Sequence, residues 1–207
     1  MTQAFEKNYS IHYEQTSAVW ELSEIFLQSI PFDHEKLIFC CIGTDRSTGD
    51  ALGPIIGSQL QQTFSFPFHI VGTLQAPLHA LNIVKRHEQL HENEEPFIVA
   101  IDACLGESTS IGSILIQQGP LFPGKAVKKE LPPIGNISIK GIVNVGGFME
   151  AKVLQNTRLH VTYSMADKIA RALLLAWQRH LLKRKNYRND HLYTNNRWQQ
   201  IGYTDFR

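Results

Sequence analysis

Two short stretches of this chain, LIFCCI (37–42) and FIVAID (97–102), run apolar without a break until glycine or aspartate ends them. A strand with one wet face alternates polar and apolar residues. An unbroken run too short for a buried helix suits a strand covered on both faces. Two such strands require helices above and below a sheet, and the spacing of the remaining apolar residues supplies them. Val19, Leu22, Phe26 and Ile30 recur three or four apart until Pro31 stops the pattern. A second helix is expected from about 51–53 to 62, and a third over 78–91 with Leu81, Val84 and Leu90 turned inward. The sequence predicts an α/β fold: a three-layer, doubly wound, mostly parallel sheet with helices on both faces.

Further strands are expected at 69–73, 111–118 and 137–145, a helix around 147–155, a short strand LHVTY (159–163) and a long helix from Met165 to Leu182. One domain over 16–186 accommodates these elements, and no internal repeat is present. Residues 1–15 are polar and read as a disordered arm. Residues 187–207 are polar and aromatic without a period and read as a tail.

Composition narrows the function classes. Formal net charge is +1, so the total gives no reason to expect nucleic-acid binding. Five Lys/Arg cluster in 179–188, leaving 15 basic against 19 acidic residues elsewhere. The simplest reading of that block is the solvated end of a helix, where cations suit the dipole. Cys40, Cys41 and Cys104 form neither a CxxC pair nor a disulfide framework, which points to a reducing cytoplasm and to small buried residues in place of a nucleophile. No apolar stretch reaches the ~20 residues of a membrane span, and the first 15 residues lack a signal peptide's apolar core.

The chemistry is concentrated at two strand ends. Asp102 closes FIVAID, where a buried strand opens into a loop, and a carboxylate there needs a partner or a task. Asp50 lies in GTDRSTGDALGP (43–54), the loop after the other apolar strand. Pro54 fixes the helix start just beyond it, because proline is tolerated only where its missing N–H would have no partner. Asp50 alone would be a helix cap. In sheets of this kind, however, sites lie beyond the carboxyl ends of the strands. Neighbouring strands would therefore deliver both acids to one place, where they cannot both ionise easily. A cap position should lower the pKa of Asp50 and burial should raise that of Asp102, making Asp50 the base and Asp102 the acid.

Thr44, Asp45, Ser47 and Thr48 crowd the same loop and are candidate substrate contacts. The loop matches neither a Walker loop nor GxGxxG, and its acids would repel an anion. Gly146 and Gly147, after an apolar strand, make a tight turn or a place where a substrate backbone can approach closely. His79 and His160 are the histidines available for proton transfer or metal binding, but neither has a ligand spacing. No metal and no cofactor is expected from the pattern.

The pair GTDRSTGDALGP and AIDACLGE (100–107) resembles the paired motifs of the bacterial spore germination protease, in which a loop ends P-D-A-L-G-P and a strand ends I-D-A-L. The wider group includes the hydrogenase-maturation endopeptidases. The chain is most similar to the YyaC-type sporulation proteins, through GTLQAPLHALN (72–82), IGNISIKGIVNVGGFME (134–150) and YSMADKIARALLLAW (163–177). The resemblance implies a phosphorylase/hydrolase-like α/β fold and places the protease's catalytic aspartates on Asp50 and Asp102. Gly49 stands where the protease motif has proline, and Glu107 replaces a basic residue. The hydrogenase endopeptidases add a metal-binding histidine, for which this sequence offers no clear counterpart.

The expectation from residues and resemblance together is an aspartate-dependent endopeptidase of sporulation or germination. It would act on a protein or peptide, such as a spore protein, in the cytoplasm of the forespore or spore core, as a monomer or homo-oligomer. The rivals are a non-catalytic sporulation protein that binds a peptide or protein partner, and a metal-dependent hydrolase.

Overall fold

A computed structural model describes residues 8–91, 95–123 and 132–199, with side chains to residue 186. Its strands are β1 (Asn8–His12), β2 (Leu37–Cys41), β3 (His69–Val71), β4 (Phe97–Gly106), β5 (Ser113–Gln118) and β6 (Ile137–Val145). Its α-helices are α1 (Ala18–Ser29), α2 (Leu52–Gln62), α3 (Ile83–Leu90), α4 (Glu150–Gln155) and α5 (Leu159–Gln199). The six strands form one sheet in the order β1-β5-β6-β4-β2-β3. The run β6-β4-β2-β3 is parallel, while β5 and β1 add antiparallel at one edge. The architecture is α/β with a mostly parallel sheet, as the apolar runs required.

The two uninterrupted strands lie side by side at the centre of the sheet. Every residue of β2 is buried, as are Ile98 to Ile101 of β4. Alternate side chains feed two cores. Phe39, Cys41, Val99 and Ile101 face α1, α2 and α5, where Leu22, Phe26, Leu52, Ile56, Met165, Ile169 and Leu173 complete the larger core. Ile38, Cys40, Ile98 and Ala100 face the other way, toward Leu78, Ile83, Leu121 and Ile134. Helices therefore lie on both faces, with α3 and irregular chain on the thinner side.

Four expectations need correction. The polar arm is ordered from Asn8: β1 pairs with β5 from Asn8↔Gln117 to His12↔Ser113. The signal was there, since Tyr9 and Ile11 pack on the core while Asn8 and Ser10 are exposed, the period of an edge strand. Residues 1–7 lie outside the described residues. LHVTY is the first turn of α5 and not a strand. Its β-branched pair, Val161 and Thr162, packs from within the helix, where burial outweighs propensity. Helix α3 begins at Ile83, five residues later than its expected start at 78, so its phase differs. Ile83 is 1% exposed, whereas Leu81 is 82% and Val84 44% exposed. Asn82 delays the helix by accepting the His79 N–H and donating to the Pro77 carbonyl. Finally, α5 passes residue 186 without a break and runs to Gln199. An established helix extends one residue at a time without a new nucleation cost. Residues 200–207 are not described.

The basic block is partly occupied within the fold. Arg179 stacks on the Trp20 ring and pairs with Glu24, and Arg184 reaches Asp33 at 2.8 Å.

Two glycines set how closely α2 rides over the strand ends. A Cβ at Gly53 would stand 2.1 Å from the Ile42 carbonyl oxygen, and one at Gly57 would stand 1.9 Å from that of Gly72. They share one helix face, four residues apart. Gly53→Ala should destabilise the fold by about 2–3 kcal/mol, as overpacking does. Gly146→Ala, whose Cβ would meet nothing closer than 3.5 Å, should stay within about 0.5 kcal/mol. Chemical denaturation of the two variants measures the contrast.

A carboxylate pair at the end of the central strands

The pairing of β2 with β4 decides where the acids go. Cys41 is opposite Ile101, and the Ile42 N–H donates to the Ile101 carbonyl at 2.7 Å as that ladder closes. Asp102 is thus the first residue of β4 to pass the end of β2. The chain leaving β2 turns at Gly43, at φ +139°. A Cβ there would lie 2.0 Å from the Asp50 carbonyl oxygen. The Gly43 N–H donates to the Leu78 carbonyl, and the Thr44 N–H to that of Asp50. The loop closes on itself and returns as a short 3-10 helix, Gly49–Ala51, which packs against β4 and runs into α2. Asp50 sits on that turn, beside the strand that carries Asp102.

The charge of Asp50 acts on Asp102. Burial, and then the negative charge of Asp50, raise the pKa of Asp102 well above the ordinary carboxylate value. The Ala103 N–H, which donates to Asp102 Oδ1 at 2.8 Å, and Lys140 oppose that rise. The residue keeps some accessible surface, but its carboxyl is densely surrounded by protein, and that packing governs its ionisation. Burial also raises the pKa of Asp50, with His79 pulling the other way. The expected lowering of Asp50 by a helix cap is therefore wrong. Neither the 3-10 turn nor α2 has a side-chain capping bond, and Ala51 holds the cap position of α2. Of the two acids, Asp102 carries the larger upward shift.

The other candidates divide. Thr44 Oγ1 accepts the Arg46 N–H and contacts Asp45, which is exposed. Ser47 Oγ is buried without a hydrogen-bond partner among the described residues, and Thr48 precedes the 3-10 turn. All four share the loop with Asp50. Gly146 and Gly147 follow β6 at the same edge of the sheet, and the Gly146 N–H donates to Gly106. Gly106 is four residues beyond Asp102 on β4, or roughly 13 Å along the strand. The glycine turn therefore stands apart from the carboxylates. His79 follows Leu78, which bridges to Ile42, and so reaches Asp50. His160 instead lines an open cavity of about 480 Å³ with His12, Tyr13, Glu14 and Arg158.

Sequence reading missed Lys140, and it took Cys104 for a small buried residue in place of a nucleophile. Lys140 pairs with Asp102 across β6 and β4, and a lysine inside the apolar run ISIKGIVNV was its signal. Cys104 alternates onto the face of Asp102. Burial and the Asp102 charge push its thiol up to about 11, so it is not an activated nucleophile. Among the described residues, no group of three or more His, Cys, Asp or Glu side chains is placed to hold a metal ion.

The fold and this edge define an α/β protein with one acidic side chain on the central strand β4 and a second on the 3-10 turn packed against it. Residues 10–172 match the family described as "Protein of unknown function (DUF1256)", and the chain belongs to that family. It is 50% identical over 142 residues to the "Uncharacterized protein YyaC" of Bacillus subtilis (strain 168), covering 68% of this chain and 69% of that protein. Among solved structures it is similar to the [NiFe] hydrogenase maturation protease HycI of Thermococcus kodakarensis KOD1. That match has a TM-score of 0.41 and 16% identity, over 72% of this chain and 98% of the other. No helix among the described residues is long and apolar enough to cross a membrane.

Burying the Asp102 charge should cost stability. A carboxyl whose folded pKa is raised favours folding fully below its unfolded value of 3.8, and the advantage is lost as pH rises through the folded pKa. Asp102→Asn keeps an oxygen for the Ala103 N–H and removes the charge. It should stabilise the fold at pH 7 by about 1–2 kcal/mol and have little effect near pH 3. Denaturation midpoints at the two pH values check both the sign and the pH dependence.

Proposed function

We propose that this chain is an aspartate-dependent endopeptidase in which Asp50 and Asp102 activate a water molecule. The reading is supported by the position of the two acids at one edge of the sheet, Asp102 just past the end of β2 and Asp50 on the 3-10 turn packed against β4, with the Asp50 charge raising the pKa of Asp102. Two buried carboxyl groups that feel one another's charge resist double ionisation, so near neutrality one holds a proton. Asp102, with the greater rise, is the acid; Asp50 is the base.

The steps follow from those states. Asp50 takes a proton from water as its oxygen bonds to the carbonyl carbon. Asp102 gives its proton to the departing nitrogen as the carbon–nitrogen bond breaks. The products are a carboxylic acid and an amine, and one water is consumed. His79, beside Asp50, favours its charged form. Thr44, Asp45, Ser47 and Thr48 form the wall of the site next to Asp50, and Gly146 and Gly147 bound its far end.

The substrate class is a protein or peptide. The setting, sporulation or germination in the forespore or spore core, comes from the motif resemblance. A second reading, a non-catalytic peptide- or partner-binding protein, is favoured by the exposed apolar side chains beyond β6: Phe148 is 91% exposed and Met149 47%.

Incubation with a pooled peptide library, read by mass spectrometry, tests hydrolysis without a known substrate. The unaltered chain should cut internal bonds. Asp50→Asn and Asp102→Asn should each lower the rate by about a hundredfold or more while leaving the fold intact. The rate should fall at low pH as Asp50 is protonated and at high pH as Asp102 loses its proton. Full activity in either variant would eliminate the scheme. Absence of cleavage at every pH, together with capture of intact peptides, would favour the binding protein.

A further inference from the structure

Strand β4 outruns its neighbour. Its ladder with β2 closes at Cys41 opposite Ile101, yet β4 continues to Gly106, paired on the other side with β6 as far as Val145. Strand alternation shows which main-chain groups are left over. The carbonyls of Ile98 and Gly106 accept from Asn136 and Gly146 on the β6 side, whereas that of Ile101 accepts from Ile42 on the β2 side. Ala103 and Leu105 therefore turn their N–H and C=O groups toward the space β2 has left. Asp102 Oδ1 takes the Ala103 N–H. The Leu105 N–H and both carbonyls have no strand partner among the described residues. Residues 102–106 all keep accessible surface, in contrast to the buried run before them.

A strand edge with free donors and acceptors is a template for another strand. We propose that residues 103–106 are a docking strip for an extended peptide, which adds to the sheet where β2 stops and carries a lysine or arginine at its Glu107 end. The peptide fits on two grounds. Its main chain would run past the Asp102 carboxyl, which leans to this side to accept the Ala103 N–H. The strip itself, Asp102 to Glu107, has no cation, and exposed Glu107 closes it. Four residues of peptide would span the roughly 13 Å from Asp102 to the Gly146–Gly147 turn. The inference names the substrate form for the proposed peptidase, and it rests on that reading only for the cutting that follows docking.

The test uses the full-length Asp50→Asn chain, in which the proposed cleavage should be absent. A pool of capped random peptides about ten residues long is passed over it, and the tightest-held sequence is remade with a single N-methyl group at each position in turn. Methylation at alternate residues of one short stretch should weaken binding about tenfold, as loss of a main-chain hydrogen bond does. Methylation at the residues between should change it little. A Lys or Arg should flank the stretch, and Glu107→Gln should weaken binding. The changes that define the alternation are in the peptide, so protein folding does not enter that comparison. Retention of no peptide, or methyl effects without alternation, would overturn the proposal. Digestion of the same peptides by the unaltered chain separates the two ideas. Alternation without cleavage leaves docking standing and removes the peptidase; cleavage without alternation does the reverse.

Discussion

The register between β2 and β4 is the constraint from which the site follows. With Cys41 opposite Ile101, the last residue of β2 stands beside the last fully buried residue of β4. Asp102 then falls at the first position where β4 has no neighbour on that side. A slip of one residue would reverse every side chain of the strand and send Asp102 toward the larger core. Burial on both faces makes such a slip prohibitive, since Val99 and Ile101 would exchange places with Ile98 and Ala100 in cores shaped for each. The energy that fixes the sheet also fixes the acid.

Helix α2 supplies the other half. Gly53 and Gly57 let it lie against the carbonyls of Ile42 and Gly72, closer than any side chain would allow. The chain leaving β2 must therefore turn sharply at Gly43 and re-enter on a 3-10 turn that holds Asp50 next to β4. Neither acid is placed by a hydrogen bond to the other. Each is carried to the edge by apolar packing, whose favourable energy offsets the cost of burying the two acids close together.

Much of this was legible in the residues. LIFCCI and FIVAID suit strands buried on both faces because each is apolar without a break and short for a buried helix, and the choice of Asp50 and Asp102 followed from the rule about carboxyl edges. The losses have physical causes. β1 was hidden by its polar composition, because an edge strand needs apolar residues only at every second position. LHVTY was misread because a β-branched pair scores as strand even when a helix buries it. The protonation argument for Asp50 failed in sign: a cap was assumed from position, whereas the 3-10 turn places Ala51 at the helix start and leaves the carboxyl to burial. Lys140 could have been found, since a lysine within a buried strand needs an acid, but its register against Asp102 is a property of the assembled sheet.

The central claim is that Asp50 and Asp102 share one electrostatic environment. Side-chain carboxyl NMR across a pH titration, on the unaltered chain and on Asp50→Asn, measures this directly. Asp102 should titrate well above an ordinary aspartate, and removal of the Asp50 charge should bring its midpoint down. Independent titration of both acids near 3.8, unchanged for Asp102 in the variant, would contradict the account.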